Sequence, residues 1–445
     1  MSRPRFSTLF ALGFVLLAAL LAVAAVLLDV TARPGNGRTV VTVRLWDEQV
    51  AAAYRKSFAA FTRKHPDIEV HTNVVSFSNY FTTLRTDVAG GSADDIFWVS
   101  NAYLAGYADS GRLMDIGKTL GPTAASAWEP SVVDQFTRHQ TLWAVPQLTD
   151  AGIALYYNAD LFAAAGVDLA DLTTLRWSPD GGDTLRPLLA RLTVDADGHT
   201  AATPGFDASR VRQWAYNAAN DAQGIYLNYI GSAGGEFQAG DRFAFDNPSA
   251  VEAFTYLVRL INNDHVAPPA SETNDNGDFS LNQFLAGRMA LFQSGTYNLA
   301  TVAGHANFHW GVALLPAGPK GRVSVTNGIA AAGNSASAHP DAVRQVLAWM
   351  GSTEGNQYIG RHGGAVPAVQ SAQSVYFDYW FSKGVDVTPF FAVLTGPRIA
   401  APGGAGFAAG NQVLKPYFDE MFLGRSDIAT TLRHAQDAAN AAASR

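Results

Sequence analysis

Polar and aromatic side chains recur at the points where short apolar runs of this chain end. Apolar runs predict buried strands, and an open α/β sheet binds its ligand beyond the carboxyl ends of its strands. Carboxylates and amides at those ends can hydrogen-bond hydroxyl groups, and a tyrosine ring can take the apolar face of a sugar. The candidate ligand contacts are Asp47, Glu48, Asn79, Tyr80, Asn101, Asp150, Tyr297, Asn327 and Gly328.

Each candidate also has a purely structural interpretation. Asp47 and Asn79 stand where helix N-caps are expected, and Tyr80 falls on the apolar side of a predicted helix. Arg361 is a separate candidate, because recognition of a phosphate group requires converging arginines or a helix N-terminus. Both interpretations stay open from the sequence.

Other kinds of chemistry have little support in the residue pattern. The 10 histidines are scattered, no Gly-x-Ser-x-Gly motif occurs, and residues 404–409 fit a dinucleotide fingerprint without its preceding strand. Residues 195–198 and 274–278 each supply only part of a calcium loop. We therefore predict no metal, no cofactor and no enzymatic activity. A carboxylate pair for glycoside hydrolysis stays open, because it needs only proximity in space.

Strands and helices alternate in the first part of the chain after residue 38. Strands are predicted at residues 40–46, 68–74 and 96–99, each followed by a helix, which indicates an α/β fold with a parallel sheet. Residues 140–162 predict a strand, an exposed polar corner at Gln147, Thr149 and Asp150, and a second strand. Further helices are predicted, including residues 206–230 and 340–350.

The composition indicates a large globular protein. A chain of 445 residues is too long for one ordinary hydrophobic core, so two lobes are expected. Hydrophobic residues make up 48% of the chain and charged residues 16%, and the net charge is -7 without a basic run, which argues against nucleic-acid binding. The absence of cysteine excludes disulfides, thiolate metal sites and lipidation on an N-terminal cysteine.

Residues 1–38 are predicted to be a signal peptide or membrane anchor followed by a linker. Arg3 and Arg5 precede an uncharged apolar stretch over residues 6–28, and a small-residue site ends at Ala32. The stretch is long enough to span a bilayer, which requires about 20 apolar residues. Cleavage and retention remain alternatives, and both place the rest of the chain outside the cytoplasm, in the periplasm or cell envelope.

Several segments occur in the order typical of one protein family. They are residues 89–98, 107–116, 142–158, 284–290 with 295–297, 315–321 and 363–367. Through them, the chain after residue 38 resembles the extracellular solute-binding proteins of ABC carbohydrate importers, the family that includes maltose-binding protein. The resemblance implies a periplasmic-binding-protein fold, in which a hinge of crossing strands joins two α/β lobes and a sugar lies in the central cleft.

The resemblance also implies a division into lobes and a set of sugar contacts. Lobe 1 is expected over residues 39–117 and 316–365, and lobe 2 over residues 118–315 and 366–445. The contacts carried over from the family are Asp47, Glu48, Asn79, Asn101, Asp150, Tyr297 and Asn327. The family's Pro-Asp-Val-Phe is here Asp94-Asp-Ile-Phe97, and its lipobox cysteine is missing, which leaves the mode of attachment open.

We therefore expect an extracytoplasmic, monomeric receptor that captures a mono- or disaccharide or an amino sugar by hinge closure and delivers it to ABC permease subunits. Asp47, Glu48 and Asp150 favour an amino sugar, because a carboxylate can pair with an ammonium group. The energy comes from a separate ATPase, since the chain has no Walker motif. The alternatives are an exported glycan-acting enzyme and a receptor of the same fold for a non-sugar solute such as a glycerophosphodiester.

Overall fold

The computed structural model describes residues 37–444 as two α/β lobes with hinge segments between them. All but the last two residues of the predicted signal peptide or anchor and its linker, 1–38, lie outside the described part of the chain. Within residues 37–444, no helix is long and apolar enough to cross a membrane.

A six-stranded sheet forms the centre of the first lobe. In spatial order its strands are Val366–Pro367, Val145–Thr149, Gly328–Gly333, Ile96–Ser100, Thr39–Leu45 and Ile68–Val74. The last three run parallel, as the sequence predicts, whereas Gly328–Gly333 pairs antiparallel with both neighbours, so the sheet is mixed. The helices around it are Glu48–Lys64, Phe77–Gly90, Asn101–Asp109, Ile116–Leu120, Pro130–Gln135, Pro340–Met350 and Thr353–Gly360.

The helix Glu48–Lys64 shows how the sequence builds this lobe. Asp47 caps it, because its carboxylate accepts hydrogen bonds from two backbone N–H groups of the first turn. Apolar residues at helical spacing, among them Tyr54 and Phe58, are buried against the sheet. Arg63 and Lys64 lie in the last turn, where positive charge is favourable.

The second lobe contains shorter strands and more helices. Its largest sheet is antiparallel, with strand order Leu291–Ser294, Ala154–Asn158 and Trp310–Leu314. Two-stranded pairs are Val194–Asp195 with Val211–Gln213, Gln238–Ala239 with Arg242–Phe243, and Ser324–Val325 with Arg398–Ile399. The α-helices are Ala159–Ala164, Leu185–Leu192, Leu227–Ala233, Pro248–Asn262, Ala270–Thr273, Phe279–Leu285, Leu299–His305, Ser374–Ser382, Thr388–Ala392, Phe407–Gln412, Lys415–Phe422 and Ile428–Ala443.

The buried residues divide the chain differently from the expected lobe boundaries. Trp128, Val132 and Phe136 belong to the core of the first lobe, and so does the strand Val145–Thr149. Residues 316–326 lie with the second lobe, since Val323 and Val325 are buried in its core. We therefore propose boundaries near residues 149, 327 and 372, because the expected ones cut through a continuous core.

The hinge is formed where neighbouring strands of the first lobe leave for the second. Thr149 pairs with both Gly328 and Val366, and the Asp150 N–H donates to the carbonyl of Asn327 at 2.7 Å. Gly152 passes so close to the second lobe that a Cβ there would lie 1.9 Å from a methyl group of Val393. The crossing segments thus lie side by side.

Two local predictions are wrong. The corner at Gln147 and Thr149 is not exposed: both side chains are buried, and Gln147 accepts a hydrogen bond from the Tyr54 hydroxyl at 2.7 Å. Residues 206–230 are not one helix, because this stretch contains a short strand, an irregular loop and a π-helical turn, Ala222–Tyr226. The apolar residues of this stretch, among them Tyr216 and Ile225, are instead buried in the core of the second lobe from an irregular backbone.

Candidate ligand-binding site

Asp150 lies at the hinge, directly after the strand Val145–Thr149. One of its carboxylate oxygens accepts a hydrogen bond from the side-chain amide of Gln223, at 3.0 Å. Burial raises the pKa of Asp150 to about 6, and the hydrogen bond from Gln223 only partly offsets that effect. The side chain nevertheless remains partly exposed, so a solute can reach the carboxyl group.

Asp221 provides a second carboxylate two residues before Gln223. Its side chain caps the turn Ala222–Tyr226 by accepting a hydrogen bond from the Gly224 N–H at 3.0 Å. The surrounding protein raises the pKa of Asp221, while backbone hydrogen bonds from Gly224 and Gln223 act in the opposite direction. Asp221 is exposed, so a solute in the cleft can reach it.

Tyr297 lies in the short helical turn Thr296–Asn298, after the strand Leu291–Ser294. Its side chain is 44% exposed, which leaves a ring face available to a ligand. The enclosing protein raises the pKa of the Tyr297 hydroxyl, and the nearby carboxylates of Asp221 and Asp150 raise it further. These effects place the hydroxyl within electrostatic reach of both acids.

Buried amides hold the loop that carries Asp221 and Gln223. Asn228 donates to the carbonyl groups of Gln223 and Gly224, at 2.8 and 3.1 Å, and accepts from the Val325 N–H at 3.0 Å. Gln293 also donates to the Gly224 carbonyl, at 2.7 Å. Because these amides are buried and fully used, they fix the loop against the hinge and the strand that precedes Tyr297.

The two acids have no cation opposite them. Within the part of the chain that the structure describes, no Lys, Arg or His contributes to the pKa of Asp150 or Asp221. Carboxylates in such a setting can accept hydrogen bonds from hydroxyl groups or pair with an ammonium group, and the Tyr297 ring can pack on an apolar C–H face. We call Asp150, Asp221, Gln223 and Tyr297 the carboxylate cluster.

Asn327 and Gly328 lie next to this cluster on the neighbouring strand. The Asn327 carbonyl accepts the hydrogen bond of the Asp150 backbone, and the Asn327 side chain is partly exposed. Gly328 is buried, and a Cβ there would lie 2.5 Å from Val132. The structure therefore brings Asp150, Tyr297 and Asn327 to one region, with Gly328 beneath it.

The predicted contacts in the first lobe have local partners. Asp47 caps the helix that follows it, with hydrogen bonds of 2.8 and 2.9 Å from the backbone, and Glu48 forms an exposed ion pair with Arg55 at 2.8 Å. Asn79 is exposed, and its amide lies 3.3 Å from the Ser76 hydroxyl.

Tyr80 is in the core rather than at the cleft surface. Its side chain is 0% exposed, and its hydroxyl donates to the backbone carbonyls of Trp98 and Arg44, at 2.9 and 3.2 Å. Its position on the apolar face of a helix explains this placement.

Asn101 and Arg361 have other surroundings again. The Asn101 amide donates to the carbonyl groups of Ala401 and Pro402 in the second lobe. Arg361 is exposed at the end of the helix Thr353–Gly360, with its guanidinium 4.7 Å from the ring centre of Tyr358. Its part in binding a phosphate stays a prediction.

Sequence reasoning missed Asp221 and Gln223. Both fall inside the stretch that was predicted to be a helix, where polar side chains are expected to face solvent. The available signal was Asp221 before Gly224, a spacing that suits a capped turn. In the described part of the chain, no group of three or more His, Asp or Glu side chains is arranged to hold a metal ion.

Comparisons with known proteins agree with this architecture. Residues 46–357 match the family described as bacterial extracellular solute-binding protein. The crystal structure of M. tuberculosis UspC is 78% identical, covers 91% of this chain and 100% of that chain, and gives a TM-score of 0.77. An ABC substrate-binding protein of Listeria monocytogenes, solved with cycloalternan, is 20% identical over 91% of this chain and 98% of that chain, with a TM-score of 0.77, which supports the fold alone.

A curated relative adds sequence support. A probable ABC transporter-binding protein of Deinococcus radiodurans is 29% identical over 227 residues, 49% of this chain and 49% of its own length, so the match spans about half of that relative. The predicted two-lobed fold and the predicted family are confirmed. This chain belongs to the bacterial extracellular solute-binding proteins, an extracytoplasmic family that binds solutes for ABC transporters.

Proposed function

We propose that this protein captures a mono- or disaccharide or an amino sugar in the cleft at the carboxylate cluster and delivers it to the permease of an ABC importer. One observation carries the proposal: two accessible carboxylates lie within electrostatic reach of Tyr297, whose ring is partly exposed, and no cation among the described residues contributes to their pKa values. Such acids are free to accept a partner, and the solute can supply it.

The chemistry of the cluster suits a sugar. Asp150 and Asp221 accept hydrogen bonds from hydroxyl groups, the Gln223 amide offers both a donor and an acceptor, and the Tyr297 ring can cover an apolar face. The carbohydrate bound by the Listeria relative supports the same class of ligand.

The charge of the cluster favours an amino sugar among the carbohydrates. An ammonium group near Asp150 restores the ionised carboxylate that burial disfavours, and the resulting hydrogen bond between two charged groups is stronger than one to a hydroxyl. A neutral sugar has no charged group to form such a hydrogen bond with Asp150. We therefore expect an amino sugar to bind more tightly than its neutral counterpart.

Capture proceeds by closure of the hinge. A solute that contacts both lobes favours the closed arrangement by its difference in affinity for the closed and open forms. The crossing segments at Thr149 and Asn327 connect the site directly to that motion. No bond of the solute is made or broken, and a separate ATPase supplies the energy for import.

The receptor works as a monomer at the outer face of the membrane. We propose that the apolar stretch over residues 6–28 exports the chain and that the receptor is either released by cleavage or held by that stretch. Lipid attachment through cysteine plays no part, because the chain has none.

A thermal-shift screen of residues 33–445 tests the proposal. The panel contains D-glucose, maltose, D-glucosamine, a glycerophosphodiester and a chromogenic glycoside that reports turnover. A solute at a hundred times its Kd stabilises the folded state by about 2.7 kcal/mol, which raises the Tm by a few degrees. We expect the largest rise with the amino sugar and a smaller rise with the neutral sugars.

The variant Asp150→Asn sharpens the test. It should weaken D-glucosamine binding at least tenfold more than D-glucose binding. Only the ammonium group loses an ionic partner, and a tenfold change corresponds to about 1.4 kcal/mol of binding free energy. Asp275→Asn removes the same charge from an exposed position in the same lobe and serves as control. Equal losses for both sugars would contradict an amino-sugar site. A rise only with the phosphodiester, or cleavage of the glycoside, would contradict a sugar receptor altogether.

A further inference from the structure

The two lobes also touch each other away from the carboxylate cluster, at the start of the helix Asn101–Asp109. The Asn101 side chain donates to the carbonyls of Ala401 and Pro402 in the second lobe, at 3.2 and 3.1 Å. Ala102, in the same helix, packs against the hydrophobic core of the second lobe. The beginning of a first-lobe helix is therefore held by the opposite lobe.

Two glycines allow the second-lobe segment 401–404 to come this close. A Cβ at Gly403 would lie 3.0 Å from the Asn101 amide nitrogen and from its carbonyl oxygen. A Cβ at Gly404 would lie 2.0 Å from the Asp241 carboxylate, and the φ of +91° at Gly404 is one that residues with side chains rarely adopt. A larger residue at Gly403 would separate the segment from the helix, and one at Gly404 would disturb the segment where it passes Asp241.

A charged contact accompanies the hydrogen bonds. Arg138 of the first lobe donates twice to the Asp109 carboxylate, at 2.7 and 2.6 Å, which fixes the plane of its guanidinium group. The remaining terminal nitrogen lies 3.8 Å from the Asp241 carboxylate of the second lobe. Asp241 is half exposed, so this contact between the lobes is sensitive to salt.

We propose that these residues form a latch that stabilises the closed arrangement of the lobes: Asn101, Ala102 and Arg138 on one side, Asp241 and residues 401–404 on the other. The latch residues are positioning residues, because they lie outside the carboxylate cluster and act on solute capture through the lobe equilibrium. Any contact made only when the lobes meet increases the closed population, and a solute that requires closure binds more tightly by a matching factor.

The latch goes beyond the proposed function and does not depend on the identity of the solute. It also assigns Asn101, an expected sugar contact, to contact between the lobes. The UspC structure is 78% identical over 91% of this chain, yet the TM-score between the two structures is only 0.77, so their backbones differ. A direct measurement of lobe separation in solution therefore provides the test.

The experiment measures the distance between two spin labels by pulsed electron paramagnetic resonance, without added solute. The natural chain has no cysteine, so Lys118→Cys in the first lobe and Thr255→Cys in the second give one unambiguous pair of exposed labels. The pair is placed in the wild-type background and in Asn101→Ala, Gly403→Ala and Asp241→Asn. Gly106→Ala is the matched control, because its Cβ enters open space in the same helix.

We expect Asn101→Ala and Gly403→Ala each to raise the ratio of open to closed molecules about fivefold. Asn101→Ala removes the hydrogen bonds to the second lobe, Gly403→Ala pushes their acceptors away, and a fivefold change is about what the loss of one hydrogen bond typically causes. Gly106→Ala should leave the distance distribution unchanged. High salt should lengthen the mean distance in wild type more than in Asp241→Asn, because that variant no longer has the screened contact. Asp241 is half exposed, so this variant keeps the test valid if the other two fold poorly.

Unchanged distributions in Asn101→Ala and Gly403→Ala would overturn the latch, and so would a shift in Gly106→Ala of equal size. An identical salt response of wild type and Asp241→Asn would overturn the part assigned to Arg138. Failure of these tests leaves the proposed sugar binding intact, because no step of the measurement requires a sugar.

Discussion

Carboxylates of the first lobe and the two acids of the carboxylate cluster in the second lobe have opposite surroundings. In the first lobe, Asp94 is buried against Arg44 at 2.5 Å, Asp47 caps a helix, and Glu48 pairs with Arg55. In the second lobe, Asp150 and Asp221 face the cleft without a cationic partner among the described residues. Both lobes are α/β structures, so fold class alone does not explain the contrast.

The first-lobe acids are paired with cations or cap a helix, whereas Asp150 and Asp221 have no cation beside them among the described residues. Burial alone would lower the pKa of Arg44, yet Asp87 and Asp94 raise it overall, so the charges of that cluster satisfy one another. Burial raises the pKa of Asp150, and the hydrogen bond from Gln223 offsets that effect only in part because no cation contributes. Breaking a buried pair leaves an uncompensated buried charge, whereas Asp150 has no cation to lose and is, under the proposed function, available to a ligand.

Removing one partner of the buried pair should have the largest effect. Asp94→Asn leaves Arg44 with Asp87 alone in a buried position, and we expect a loss of about 3 kcal/mol in the free energy of unfolding. Denaturant unfolding at pH 7 measures it, with the exposed Asp275→Asn as control, for which a change within about 0.5 kcal/mol is expected. A loss no greater than that of the control would mean that the first-lobe acids are not structural.

The opposite substitution in the second lobe should stabilise the protein, and only above a certain pH. The raised pKa of about 6 means that folded Asp150 holds its proton more tightly than the unfolded chain does, so ionisation destabilises the fold as the pH rises from about 4 to above 6. Asp150→Asn removes this penalty, which is about 3 kcal/mol at pH 7.5 and falls to about 0.5 kcal/mol near pH 4.

Unfolding of wild type and Asp150→Asn at pH 4, 6 and 7.5 measures the difference directly. The difference between the two proteins isolates Asp150, since all other groups titrate in both. A variant that is less stable than wild type at pH 7.5 would show that Asp150 is compensated after all, and the contrast between the lobes would then be lost.

The first lobe could be predicted closely from the sequence because its elements are continuous. Its parallel strands show local apolar patterns, a continuous run in Ile96–Ser100 and an alternating one in Ile68–Val74, and the helix Pro340–Met350 begins with proline at its first position, a strong local signal. Local patterns of this kind need no knowledge of distant residues. The polar residues after these strands were harder to interpret, because a cap and a ligand contact have the same residue types.

The second-lobe site could not be predicted in full because it depends on contacts between distant segments. Asp150 and Tyr297 were predicted separately, and only the fold brings them near one another. Asp221 caps and Gln223 belongs to the short π-helical turn Ala222–Tyr226, which follows an irregular segment and whose carbonyls also accept hydrogen bonds from the buried Asn228. Apolar spacing in that segment imitates a helix, so periodicity alone gives the wrong structure there.

The smallest expected effect is that of a substitution at Glu48, an acid of the first lobe that is paired with Arg55 and was also a predicted ligand contact. Its carboxylate pairs with Arg55 where the two side chains are 69% and 51% exposed, so Glu48→Gln should change the free energy of unfolding by no more than about 0.5 kcal/mol. The rise in Tm that D-glucosamine produces should equal that of wild type, because the ammonium group is expected to meet the second-lobe acids. A clearly smaller rise in Glu48→Gln would show that Glu48 turns from Arg55 to the solute on closure. The charge that binds the solute would then be shared by both lobes, and the distinction between structural acids and binding acids would have to be drawn residue by residue.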